Sequence, residues 1–121
     1  MFSFIKNTFG KKITVDDIAL KCKAINAEKI AIYGGGEIGL QILQALEKEQ
    51  LSEKVICFVD LRADYESFTV KGMPVIGPFK LKQEAFTPDT LIIASKAFKK
   101  DILMTIQENA LVGDKVSIIT F

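Results

Sequence analysis

The run Lys29-Ile30-Ala31-Ile32-Tyr33 stops at Gly34-Gly35-Gly36-Glu37-Ile38-Gly39, and this junction restricts the fold more than any other stretch of the chain. Successive apolar residues present apolar groups to both faces of a strand, which suits a central strand covered on both sides. After the glycines, Ile38, Ile42, Ala45 and Leu46 recur at helical spacing with Leu43 beside them. Residues 37–50 therefore read as an amphipathic helix, closed in solvent by Glu47-Lys48-Glu49-Gln50. A buried strand running straight into a helix is half of a crossover unit, and parallel strands need such crossovers. Gly34 permits the tight turn, and Gly39 lets the helix lie close on the sheet.

The same alternation continues along the 121 residues. Residues 14–25 read as a helix: Thr14 is its N-cap, Asp16 and Asp17 suit the first turn, and Val15, Ile18, Ala19, Cys22 and Ile25 form its apolar stripe. Residues 54–59 form a second buried strand ending at Asp60, and 61–69 form a polar loop. Residues 70–77 read as a turn into a short edge strand, because Pro74 has no N–H to donate to a neighbour. Residues 78–86, opening on Pro78, read as a short helix. Residues 91–94 form a third buried strand, and Ser95 caps a helix over 96–110 carrying Phe98, Ile102, Leu103 and Ile106. Residues 116–119 form the last strand.

Strands alternating with helices predict one α/β domain of the Rossmann type, with helices on both faces and an N-terminal helix. Its sheet is mostly parallel, in the order 3-2-1-4-5 counted from the Tyr33 strand. The predicted organisation is an apolar arm over 1–12 and a nucleotide-binding domain over 13–121. The chain reverses direction across the sheet between the Tyr33 and Ile92 strands, where ligands bind in such sheets.

Composition narrows the chemistry. The net charge of +1 gives no sign of nucleic acid as a partner. The chain has no histidine, which removes a Ser-His-Asp triad and most zinc sites. No metal site is expected. Cys22 and Cys57 form no C-x-x-C pair or disulfide framework, so a cytoplasmic compartment is expected. No apolar run is long enough to span a bilayer, and residues 1–6 lack the pattern of a signal peptide. Phe2, Phe4, Ile5 and Phe9 make the arm apolar beside Lys6, Lys11 and Lys12. Such an arm packs on its own domain or on a second copy in a homodimer; the alternative is a membrane-surface anchor.

The residues expected to bind a ligand surround the glycine turn. Gly36 lets backbone N–H groups approach a pyrophosphate at the helix start, with Gly34, Glu37, Ile38 and Gly39 completing the turn. Asp60 ends the next strand, where an acid can bind ribose hydroxyls, and Arg62 stands nearby as an acceptor of a 2′-phosphate. Ser95 lies across the crease. Each position also has a structural use: glycines for packing, Asp60 capping its loop, Glu37 supporting the helix dipole, Ser95 as a helix cap. The lysines between 96 and 100 read as a solvated face. An NAD-like ligand is favoured over an NADP-like one, because Asp60 repels a 2′-phosphate.

The ordered set Ile32-Tyr33-Gly34-Gly35-Gly36-Glu37-Ile38-Gly39, Cys57-Phe58-Val59-Asp60, Gly72-Met73-Pro74-Val75-Ile76-Gly77 and Leu91-Ile92-Ile93-Ala94-Ser95 resembles a known pattern. It is similar to the Rossmann-like N-terminal domain of bacterial polysaccharide-biosynthesis nucleotide-sugar dehydratases and epimerases. It also resembles the N-terminal nucleotide-binding domain of bacterial sugar acetyltransferases and tail domains of some sugar C-methyltransferases. The resemblance implies a bacterial module that binds NAD or a nucleotide sugar for cell-surface polysaccharide synthesis, serving a catalytic partner domain or protein. A stand-alone NAD-dependent nucleotide-sugar oxidoreductase or epimerase is the first alternative, and a ligand-free interaction domain the second. Catalysis by the isolated chain is not expected. Glu37 and Thr69 stand four residues after Tyr33 and Tyr65, where a Tyr–Lys acid/base pair would need lysine.

Overall fold

In a computed structural model, described for residues 3–5 and 12–121, helix α1 (Val15–Ala24) begins where local chemistry demands. The Thr14 hydroxyl accepts the Asp17 N–H at 3.2 Å, and the Asp17 carboxylate accepts the Thr14 N–H at 2.9 Å. This reciprocal pair satisfies two N–H groups that the helix itself leaves without partners. Strand β1 (Ser3–Ile5) precedes α1. After it come β2 (Ile30–Tyr33), α2 (Glu37–Lys48) and β3 (Val55–Val59). Then follow β4 (Thr69–Val70), β5 (Met73–Ile76), β6 (Thr90–Ile93), α3 (Lys99–Glu108) and β7 (Ser117–Thr120).

The result is a mixed α/β domain with a mostly parallel sheet. Its order is β1-β7-β6-β2-β3-β5-β4. Six of these strands are linked by parallel pairings, and β4 adds to β5 antiparallel. The expected five-strand order is thus corrected to seven, with the expected neighbours enclosed by β1 on one edge and β4 on the other. Side chains alternate across the sheet. Ile30, Ile32, Phe58, Ile92 and Ile119 pack with Ile18 and Cys22 of α1 and Ile42 and Leu46 of α2. Ala31, Tyr33, Cys57, Leu91, Ile93 and Ile118 face the other way, against Ile106 of α3, Leu81 and Leu111. Cover on both faces explains the unbroken apolar runs of the strands.

Four sequence expectations are corrected. Part of the N-terminal arm is a strand, with Phe4 in register with Ile118; its side chains, and so its cover by this domain, a second copy or a membrane, lie outside the described residues. Strand β5 is not an edge: the turn at Lys71 and Gly72, both with positive φ, folds β4 onto it. Pro74 is tolerated because pairing with β3 starts only at Val75. Residues 78–86 form two 3-10 turns, Pro78–Lys82 and Glu84–Phe86, parted by the extended Gln83. The last helix begins at Lys99 rather than Lys96, after a turn in which Ser95 Oγ accepts the Phe98 N–H at 3.0 Å. No helix among the described residues is long and apolar enough to cross a membrane.

Candidate functional site

Strands β2 and β6 lie side by side, but the chain leaves them toward opposite parts of the sheet. Their carboxyl ends therefore open into a cleft. Its volume is about 560 Å³. Gly34 forms the floor at φ +127°, and a Cβ there would stand 3.1 Å from the Ala94 carbonyl oxygen. The Gly34 N–H donates to Val59 O at 2.8 Å, and the Ala94 N–H donates to Tyr33 O at 2.9 Å, so both neighbouring strands grip the turn.

The three motif glycines differ in what requires them. A Cβ on Gly39 would lie 2.0 Å from the Gly34 carbonyl oxygen, so the approach of α2 to the turn demands glycine. A Cβ on Gly36 would meet nothing within 4 Å. Gly36 is the N-cap of α2, at φ −86°, and offers no side chain to the first helical N–H groups. Neither packing nor backbone conformation calls for glycine there. The open space instead leaves the start of α2 accessible from the cleft, and such helix starts attract anions.

One wall is charged. The Asp60 carboxylate accepts from Arg62 Nη2 at 2.8 Å, Arg62 Nε at 3.2 Å and the Arg62 N–H at 2.9 Å. Hydrogen bonding to the Arg62 side chain is the main cause holding its carboxyl below the ordinary aspartate value; the Gly35 N–H assists. The Asp60 side chain is 17% exposed and that of Arg62 62%. Arg62 also lies over the Phe68 ring, 5.3 Å from its centroid. Asp60 is therefore committed to Arg62 and to the Leu61–Asp64 3-10 turn that it caps. Tyr33 is buried at the back, its hydroxyl pushed up to about 12 by burial and then by Asp60 and Asp64.

The fold brings Gly34, Gly36, Asp60, Arg62 and Ser95 around the cleft. Glu37, Ile38 and Gly39 are not among its lining residues. Glu37 is exposed in the first turn of α2, Ile38 packs against the core, and Gly39 faces Gly34. Lys96 lies over the Phe121 ring at 5.0 Å. The sequence reading missed the other wall, which carries Phe98, Asp101, Ile102 and Thr105. The spacing i, i+3, i+4, i+7 is its available signal, but in sequence Phe98 and Ile102 fall on one helical stripe with Leu103 and Ile106. Among the described residues no group of three or more His, Cys, Asp or Glu could hold a metal.

One family model, described as C2185-like, N-terminal, matches residues 26–117. No curated protein and no solved structure matches the chain.

Proposed function

The chain belongs to the C2185-like N-terminal family, and from its cleft we propose that it is a Rossmann-type module binding a nucleotide through its diphosphate. The observation that carries this reading is the glycine at position 36, which has space beside it, no packing role, and an uncapped helix behind it. The diphosphate lies over the first turn of α2, and the rest of the nucleotide extends into the cleft. NAD and nucleotide sugars share this ribose diphosphate. The order of the glycine turn, strand-end Asp60 and Gly72–Gly77 segment supports service to cell-surface polysaccharide synthesis, by its resemblance to nucleotide-sugar enzymes. Tyr33, only 5% exposed and with its hydroxyl near 12, is poorly suited to proton transfer at neutral pH. That favours binding on behalf of a catalytic partner over catalysis by this domain.

Calorimetry with NAD and with ADP-, GDP-, CDP- and UDP-linked sugars tests the proposal. Saturable binding is expected, weakened at least about tenfold in Gly36→Val while the melting temperature stays close to wild type. No binding at millimolar ligand, or unchanged binding in Gly36→Val, would overturn it.

A further inference from the structure

Two of the most exposed large apolar side chains line the same cleft: Leu61 at 61% and Phe98 at 65%. A single exposed apolar residue is ordinary. Phe98 differs because its backbone is held. Its N–H donates to Ser95 Oγ at 3.0 Å, Lys96 on one side lies over the Phe121 ring, and Lys99 Nζ on the other donates to Phe121 O at 2.9 Å. The turn before α3 is thus anchored at both shoulders while the ring between them stays bare. One helical turn on, Asp101 lines the same wall, and its carboxylate has no hydrogen bond or ion pair among the described residues. Thr105, next along that face, spends its hydroxyl proton on Asp101 O at 3.0 Å. Across the cleft, Arg62 turns its Nε and one Nη2 N–H toward Asp60.

The geometry points to Phe98 and Asp101 as the pair that reads the base of the bound nucleotide. The base stacks on Phe98, and an exocyclic amine of the base donates to Asp101. This rests on the nucleotide-binding reading and narrows the ligand to adenine, guanine or cytosine nucleotides over uracil ones. Stacking tolerates any base, so Phe98 supplies affinity without choice. An ionised carboxylate only accepts hydrogen bonds, so Asp101 supplies the choice. Uracil offers a single ring N–H flanked by two carbonyl oxygens, whose lone pairs face the carboxylate unfavourably.

The test titrates ADP, GDP, CDP and UDP into the wild type, Asp101→Asn, Phe98→Ala and Phe98→Trp. The chain has no tryptophan, so Phe98→Trp places its one indole in the cleft. The three amino-bearing nucleotides are expected to bind about tenfold tighter than UDP, and Asp101→Asn, which can donate as well as accept, to bring the ratio within about twofold. Phe98→Ala weakens all four by about tenfold, whereas Phe98→Trp keeps binding and changes its emission at saturation. Binding of UDP as tight as the others, or a preference unchanged in Asp101→Asn, overturns the inference and leaves nucleotide binding standing. No binding of any of the four at millimolar concentration overturns both.

Discussion

Replacing Gly39 with alanine separates a glycine needed by the fold from one needed by a ligand. The added Cβ would lie 2.0 Å from Gly34 O and 3.1 Å from its carbonyl carbon, with Phe58 Cε1 at 3.4 Å. Ordinary contact begins near 3.4 Å, so α2 must withdraw by about 1.4 Å, and the obstacle is backbone rather than a pliable side chain. Ile42 and Leu46, both fully buried, move with the helix and lose contact with the sheet. Overpacking costs about 1–3 kcal/mol, and gaps under two core residues add to it. The better helix propensity of alanine returns about 1 kcal/mol. The net expectation is a loss of about 2 kcal/mol, or a melting temperature lower by about 8 °C for a chain of this size. Gly36→Ala, with nothing within 4 Å of its Cβ, should lose only about 0.5 kcal/mol as a poorer N-cap. Urea unfolding followed by circular dichroism measures both variants against wild type, with the slope checking that the transition is unchanged. A Gly39→Ala protein within about 0.5 kcal/mol of wild type would refute the packing argument. So would a Gly36→Ala protein as unstable as Gly39→Ala.

The Asp60–Arg62 pair predicts a pH effect. Asp60 titrates below its ordinary 3.8 in the fold, so its stabilising contribution is complete above 3.8 and is lost as pH falls through the lower folded value. Arg62→Ala should therefore show a shallower loss of stability on acidification below 3.8 than wild type; equal acid limbs in urea unfolding would show that the pair does not act on stability. Burial pushes the thiols of Cys22 and Cys57 up to about 12, so neither should react with a disulfide reagent at mildly alkaline pH until the chain unfolds. Rapid modification of the native protein, counted by mass, would contradict their burial in the core.

Much of the frame was legible locally. Thr14 and Asp17 announce the start of α1 because a capping box is complete within four residues. The apolar runs at Ile30 and Leu91 announce covered strands because every position of β2 and β6 is buried. The glycines announce a turn, since φ +127° at Gly34 and the contact of Gly39 with Gly34 are needs that neighbours in sequence create. What sequence could not supply was the identity of distant partners. Periodicity tells which side of an element is apolar, not what covers it. Strand β1 pairs with β7 more than a hundred residues away, and nothing within the arm encodes that register. An acid at the end of β3 suits either ribose hydroxyls or the cap of its own loop, and only the fold shows the Arg62 guanidinium brought back onto the Asp60 carboxylate. Phe98 shares a helical stripe with Ile102 and Ile106, yet the Ser95 turn delays α3 to Lys99 and leaves the ring in the cleft. The chain encodes its elements through contacts a few residues long, while the cleft arises where non-neighbouring strand ends and a helix face meet, a placement set by packing of the whole sheet.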